Sequence, residues 1–524
     1  MAVGVEAARR AFAGDRRHTS TLAGLVFSAG VGSMATEISA ARLLAPYYGA
    51  STVVWANVIG LVLAALAVGY WLGGRLADRR PTRRTLGAVV VAGAGVVAAT
   101  PFASRPLLDV SVRGLDEVSV GAAIGSFFGT LVLFAPAVVL LGMVAPFAIR
   151  LWIDDVRSAG EVAGRVFALS TAGSLLGTFL PALVTIPLLG TQRTLVAAAA
   201  VIALGATLLL GARWLLVGAA LAALVAIPPG AVKAEPGTIH EEESLYQYIQ
   251  VVERNGARYL HLNEGVEVHS VWRPHSVLTG GEWDMFLPLP ALLGQPVRTV
   301  AILGNAGGTT ARAYGVYYPR ARIDGVELDP AVTRVGRRFF GLDDNPRLVV
   351  HDADARPFLR RTARRFDLIF VDAYRPPYVP FYLATREFFE LARRRLTPGG
   401  LIAMNIATVP DDQRLAEGVA GTLASEFPQV VSWQALRFNQ LVVGLTRPAP
   451  LSQLSRLLVS RAPHGLRGLA RLLAANMRPV APATDPWTDD RSPVEWITDR
   501  MIVAYAARGG RLDESYLPTR PGGP

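Results

Sequence analysis

Cysteine is absent from all 524 residues, so no disulfide framework, cysteine-ligated zinc, iron–sulfur cluster or thiol nucleophile is available. Charge is scarce as well. Asp, Glu, Lys and Arg make up 18% of the chain and 51% is hydrophobic, whereas a soluble globular chain carries about a quarter charged residues. Such a chain is not soluble throughout, and it is neither disordered nor of low complexity. The pattern Gly-x-x-x-x-Gly-Lys-Ser/Thr is missing, which argues against a phosphate-binding ATPase loop. The seven histidines are scattered, so no metal is expected. The length leaves room for two or three domains.

What is present begins with a net charge of +11. Residues 1–230 hold 17 Arg against 10 acids, and most of those Arg lie between apolar runs. That is the pattern of membrane topology, and no nucleic-acid motif or partner is expected. Seven apolar stretches reach bilayer-crossing length, at about 19–44, 53–73, 85–104, 120–146, 166–188, 194–212 and 214–230. The lipid bilayer is therefore an expected partner, and the chain reads as a multi-pass protein of the cell membrane. Arg9, Arg10, Arg16 and Arg17 precede the first stretch, and Arg75, Arg79, Arg80, Arg83 and Arg84 follow the second. The opposite loops hold Arg105, Arg113 and Arg193, which puts the N-terminus on the cytoplasmic side. Seven spans would then leave the C-terminal half outside the cytoplasm. Glu37 lies inside the first stretch with Arg42 near its end. It is either a functional intramembrane acid or half of an orienting ion pair.

Near Pro228-Pro229-Gly230 the composition turns from apolar to mixed. Two alternating runs, Tyr246–Glu253 and Arg258–Leu262, flank Asn255-Gly256, a strong hairpin signal. Strands then read at Thr299–Leu303, Arg322–Leu328, Leu348–His351, Phe366–Asp372, Leu401–Ile406 and Val430–Ala435. Helical patterns fall between them, at about Thr310–Tyr317, Pro330–Phe340, Ala355–Arg364, Thr385–Leu396 and Gln413–Phe427. This alternation implies a parallel, doubly wound sheet, whose ligands bind at the carboxyl ends of the strands. The expected domains are a membrane helical domain over 1–232, a linker with a small β element over 233–298, a Rossmann-like domain of methyltransferase type over 299–450, and a helical extension and tail over 451–524.

The candidate site residues sit at those strand ends. Gly304, Gly307 and Gly308 follow the first strand in Gly-Asn-Ala-Gly-Gly, where backbone can approach a ligand closely. Glu327 ends the second strand, 23 residues after Gly304, where an acid can accept both ribose hydroxyls. Asp354 follows the third strand, where it can take an adenine amino group or serve as a helix N-cap. Asp372 ends the fourth. Three acids at successive strand ends with a glycine turn point to an adenosine-type cofactor.

From about 241 to 447 the chain resembles the spermidine synthase family of polyamine aminopropyltransferases, and in particular its membrane-bound members. Ser244-Leu-Tyr-Gln247 looks like the family's Ser-x-Tyr-Gln, and Leu262-Asn-Glu-Gly-Val266 like its Leu-Asp-Gly-Val. Val326-Glu-Leu-Asp329 and Asp354-Ala-Arg match the ribose and adenine segments. Asp372 through Pro376, Leu383 and Thr385 to Phe388 matches Asp-Ser-Ser-Asp-Pro…Leu…Thr-x-x-Phe, and Pro398-Gly-Gly400 follows. Thr488-Asp-Asp-Arg-Ser-Pro-Val-Glu495 is similar to the C-terminal segment of the membrane-bound members. The resemblance implies transfer of an aminopropyl group from decarboxylated S-adenosylmethionine to putrescine or another polyamine, without a metal. Gln247 would contact the nucleoside and Asp372 would act as the base. Tyr246, Tyr374, Asp284 and Arg375 would face the substrate. It also allows a homo-oligomer.

Two departures bear on specificity. Ala306 stands where the family's aspartate binds the donor's amino group, and Arg375 replaces the second aspartate of Asp-Ser-Ser-Asp. Two further readings therefore stand beside the first. One is a methyltransferase using intact S-adenosylmethionine, and the other is a polyamine sensor or transport component that binds without turnover. Gly69-Tyr-Trp-Leu-Gly-Gly-Arg-Leu-Ala-Asp-Arg-Arg80 resembles one loop of major-facilitator transporters, over that loop alone.

Overall fold

The computed structural model describes residues 2–508, apart from 50–51, 116–120, 154, 212–213, 228–229, 234, 264–267 and 375–377. The chain divides into two compact units. One comprises 1–117, 121–234 and 242–248, and the other 118–120, 235–241 and 249–524.

The first unit is helical: α1 (Ala2–Tyr48), α2 (Thr52–Arg79), α3 (Arg83–Leu115), α4 (Gly121–Leu133), α5 (Ala135–Gly142), α6 (Val144–Trp152), α7 (Ala159–Leu180), α8 (Ile186–Leu189), α9 (Thr191–Leu210) and α10 (Leu215–Leu224). Among the described residues, five stretches are long and apolar enough to cross a membrane: Ser20–Tyr48, Val54–Arg79, Arg83–Ser111, Ala135–Trp152 and Val156–Leu189. This differs from the seven read from hydropathy, for local reasons. The fourth apolar run is broken at Phe134 and Met143, where Pro136 and Pro146 enter α5 and α6 without a backbone N–H to donate. The fifth continues from α7 through a π-helical turn, Pro181–Thr185, into α8. The ten residues of α10 rise only about 15 Å, half the hydrocarbon core.

Small residues let the helices pack backbone to backbone, as in membrane bundles. A Cβ on Gly173 would lie 2.2 Å from Phe27 O, and one on Gly177 2.2 Å from Val31 O, so α7 lies directly on α1. Gly69, in the transporter-like segment, likewise meets the backbone of Val139. Its place in the sequence is explained by packing. Arg42 donates to the carbonyl of Leu245, and Thr191 donates to the carboxylate of Glu243, so the segment 242–248 is tied to the helices.

In the second unit, β1 (Thr238–Glu243), β2 (Tyr248–Arg254), β3 (Ala257–Leu262) and β4 (Val268–Trp272) form a four-stranded sheet in that order. The expected hairpin is β2–β3, turned by Asn255 at φ 52° and Gly256 at φ 74°. Eight strands make the main sheet: β5 (Thr299–Leu303), β6 (Arg322–Glu327), β7 (Leu348–Asp352), β8 (Phe366–Val371), β9 (Leu396–Ala407), β10 (Gln429–Leu436), β11 (Asn439–Leu445) and β12 (Arg478–Val480). Their order is β12-β10-β11-β9-β8-β5-β6-β7. Helices α11 (Thr309–Tyr317), α12 (Pro330–Phe339), α13 (Ala355–Arg361), α14 (Arg386–Arg394) and α15 (Arg414–Glu426) connect the strands, and α16 (Leu451–Arg461), α17 (Arg467–Asn476) and α18 (Val494–Ala507) follow.

The sheet is mixed, which corrects the expectation of a parallel one. β5–β9 are parallel, and β11, β10 and β12 continue antiparallel on the β9 edge. A turn at Leu436–Asn439 reverses the chain between β10 and β11, and a turn that tight can only make antiparallel neighbours. The region after 450 thus supplies a strand of the main sheet as well as helices.

Candidate active site

β5 and β8 are neighbours at the point where the strand order turns, since β6 and β7 continue on one side and β8 and β9 on the other. The crevice at the carboxyl ends of such a pair is where open α/β sheets take their ligands. Gly304 closes β5 at φ +89°, and a Cβ there would lie 2.4 Å from Asp372 O. Only glycine lets the two strand ends come this close. Gly307 donates its N–H to Ser270 Oγ at 2.8 Å, and Gly308 is the N-cap of α11.

Asp372 lines the pocket that opens at this crevice. Its carboxylate accepts Asn405 Nδ2–H at 3.0 Å and the indole N–H of Trp283. Burial pushes its pKa up to about 6, against the lowering effect of those two hydrogen bonds. Asn405 is itself held by Asn439, whose Nδ2 donates to Oδ1 at 3.1 Å. The ring of Tyr374 lines the pocket, while its hydroxyl donates to Asn405 O at 2.9 Å and accepts the N–H of Ala407 at 2.8 Å.

Glu327 ends β6 with its two oxygens accepting the backbone N–H groups of Ala306 (2.9 Å) and Asp329 (3.0 Å). Burial raises its pKa to about 7 despite these bonds. Leu328 supplies a third backbone donor, which still leaves the carboxylate part of its lone-pair capacity for a hydroxyl donor. Asp354 caps α13, accepting Arg356 N–H at 2.9 Å, and its other oxygen accepts the hydroxyl of Tyr382 at 2.9 Å. The capping role raised for it is therefore present, on one oxygen.

Asp284 is turned away from the pocket. Its buried carboxylate accepts the N–H of Thr279 (3.0 Å), the Thr279 hydroxyl (3.1 Å) and the N–H of Gly280 (2.7 Å), clamping the preceding loop. The acid that lines the pocket is Glu282, two residues earlier. Tyr246 and Gln247 belong to the helical unit, where both of their N–H groups donate to Ser244 Oγ at 3.0 Å. Arg375 lies outside the described residues. No group of three or more metal-ligating side chains stands together among the described residues.

Several pocket residues were not singled out in the sequence. His269 on β4 has its Nε2 buried with no hydrogen-bond partner. Burial, helped by His261, lowers its pKa to about 3, so the imidazole is neutral. Asn405, Phe438 and Asn439 come from the β9–β11 edge, and Thr498, Met501 and Ile502 from α18. The Thr488–Glu495 segment anchors nearby. Asp489 receives both Nη groups of Arg356 (2.7 and 2.6 Å) and the hydroxyl of Thr385 (2.8 Å). Arg356 lies in the first turn of α13 and Thr385 is the N-cap of α14, so the segment ties the far end of the chain to the start of both helices, beside Asp354.

Residues 282–435 match the spermine/spermidine synthase domain. A probable polyamine aminopropyl transferase of Bifidobacterium longum is 34% identical over 194 residues, which cover 37% of this chain and 43% of that protein. The polyamine aminopropyltransferase of Vibrio vulnificus is 26% identical over 252 residues, 46% of this chain and 80% of that one. Polyamine aminopropyltransferase 1 of Streptomyces coelicolor is 28% identical over 402 residues, covering 66% of this chain and 72% of its own. That match is longer than everything C-terminal to residue 232, so it reaches into the helical half. The chain spans less than half the length of the first of these relatives.

Proposed function

With residues 282–435 identified as a spermine/spermidine synthase domain, we propose that this chain is a membrane-bound aminopropyltransferase. It moves the aminopropyl group of decarboxylated S-adenosylmethionine to the primary amine of an acceptor, putrescine being the diamine the resemblance implies, and releases methylthioadenosine. The observation that carries this reading is Asp372: a half-buried carboxylate at the turn in strand order, raised to about 6 and pinned by Asn405 and Trp283.

An amine acceptor is protonated near neutral pH and must lose a proton before its lone pair can attack carbon. Asp372 holds the ammonium and takes that proton. Its raised pKa makes it a better base than an ordinary aspartate, and its hydrogen bonds fix the direction from which it acts. Glu327 keeps acceptor capacity for a ribose hydroxyl beside its three backbone donors. Ala306 offers no charge to the donor's amino group, so that group depends on other acceptors in the pocket.

In the helical unit, α9 is as long as a span, its twenty residues rising about 30 Å. Leu195, Ala199, Ile202 and Ala206 on it are fully buried in the bundle core. We read α9 as a sixth span beside the five, with α10 too short to cross. Six spans return the α/β domain to the Arg-rich, cytoplasmic side and remove the conflict that seven would create.

Mass spectrometry of the detergent-purified chain with decarboxylated donor and putrescine tests the enzyme reading. Methylthioadenosine together with an aminopropylated amine is expected, and donor bound without product would refute it. Protease accessibility of residues 249–508 in sealed vesicles of known orientation tests the topology. Cleavage only from the cytoplasmic face is expected, and cleavage only from the other face would refute six spans.

A further inference from the structure

The pocket in front of Asp372 carries its charge on one flank. Asp372 and Glu282 are the two acids among its described lining residues. Trp283, adjacent to Glu282 in sequence, donates its indole N–H to Asp372, and both acids line the one pocket. On β4, His269 adds a buried Nε2 without a hydrogen-bond partner. A neutral imidazole with its proton on Nδ1 accepts at that atom. A primary ammonium has three N–H donors, and these three groups provide an acceptor for each.

The remaining walls differ in kind. Val409 follows β9, Phe438 sits in the β10–β11 turn, and Met501 and Ile502 come from α18; all four are apolar. The polar residues among them, Thr408, Asn439 and Thr498, are uncharged, and the Thr498 hydroxyl donates its proton to Val494 O at 2.8 Å. A second ammonium placed against this surface would be desolvated with no carboxylate among the described lining residues to pair with. An alkyl chain in the same place only leaves water.

We propose that the acceptor is a primary amine with a single positive charge and an apolar tail, its ammonium held by Asp372, Glu282 and His269 and its tail against Phe438, Met501 and Ile502. This rests on the aminopropyltransferase reading and narrows its substrate. The ammonium gives one proton to Asp372, and the freed lone pair forms a bond to the aminopropyl carbon beside the sulfonium. The carbon–sulfur bond breaks with its electron pair going to sulfur, which leaves neutral methylthioadenosine. The product is a secondary ammonium that carries the aminopropyl group, and Asp372 passes its proton to solvent.

The test compares n-hexylamine with putrescine as acceptors for the full detergent-purified chain and decarboxylated donor, scored by methylthioadenosine release. kcat/KM is expected to be about tenfold or more higher for hexylamine. Met501→Asp adds a carboxylate to the apolar wall and is expected to reverse that preference. His269→Leu is expected to raise KM for hexylamine about tenfold with KM for the donor unchanged, a split that a merely structural role would not produce. Putrescine preferred by the wild-type chain, with methylthioadenosine released, overturns this proposal and leaves the transferase standing. No methylthioadenosine with either amine overturns both. The wild-type comparison decides alone if either variant fails to fold.

Discussion

Replacing Asp372 by Asn keeps the side-chain shape and removes the base. Two donors, Asn405 Nδ2–H and the Trp283 indole, converge on the carboxylate in the native pocket. Asn presents one carbonyl oxygen, so one of those donors meets an NH2 group, a loss of about 1–3 kcal/mol. The variant also no longer buries a charge, which offsets part of that loss, so the chain should remain folded. The effect on the reaction is larger. An alkylammonium titrates at about 10.4, so passing its proton to an aspartate at 3.8 is uphill by about 9 kcal/mol. At the raised value of about 6 the same step costs about 6 kcal/mol. The pocket thus lowers the cost of deprotonation by about 3 kcal/mol, and the Asp372→Asn variant forfeits the acceptor altogether. A loss of about a thousandfold in kcat is expected. It is read as the initial rate of methylthioadenosine formation at pH 8, with donor affinity measured alongside and expected to stay within about threefold. Wild-type kcat/KM should fall as pH drops through about 6, because the ionised carboxylate is the active form. A variant within about tenfold of wild-type kcat would refute the role given to Asp372.

Glu327 binds its proton more tightly folded, at about 7, than its ordinary 4.5, so the folded state holds more protons between those values and stability declines as pH rises through them. Glu327→Gln should flatten that decline by about 3 kcal/mol, seen as a smaller change of melting temperature from pH 4.5 to 8; an unchanged slope would contradict the raised value. Asp489→Ala leaves the buried Arg356 without its two-pronged partner. Asp489 is 41% exposed, which discounts the pair, and a loss of about 2 kcal/mol is expected. Arg394→Ala, in the exposed Arg394–Glu390 pair, should cost under about 0.5 kcal/mol in the same thermal-melting series. Ala306→Asp restores an acid at a position already at φ 43°, which Asp tolerates better than Ala. Donor affinity by calorimetry should rise about tenfold, and no gain would mean that the donor's amino group lies elsewhere.

Strand ends were the legible part of the site. Asp372 follows the apolar run Leu368–Val371, and Glu327 closes the mixed segment Arg322–Val326 that precedes a helical pattern; both read as strands, and a strand's end marks where its chain leaves the core. The Asn255-Gly256 turn was legible for the same kind of reason, since few dipeptides take two positive φ values. The choice between Glu282 and Asp284 was not. They lie in one short 3₁₀ turn, Glu282–Phe286, where no periodicity tells which side faces a pocket. Phe438 was invisible because the sheet order, and not chain distance, sets β11 beside β9, and His269 and α18 because they come from other elements far from Asp372 in sequence. Asp354 carried two compatible readings in sequence, and its cap accounts for one oxygen while Tyr382 takes the other. In the helical half, hydropathy found the apolar runs but not their breaks. Those depend on prolines such as Pro136 and Pro181, and a window average smooths over them.

The most direct measurement gives the purified chain, and its Asp372→Asn variant, decarboxylated and intact S-adenosylmethionine in parallel with an amine acceptor, with products identified by mass spectrometry. Aminopropyl transfer by Asp372 requires methylthioadenosine from the decarboxylated donor alone, and from the wild-type chain at a rate about a thousandfold above the variant. S-adenosylhomocysteine from the intact donor, or equal methylthioadenosine from both proteins, would contradict it.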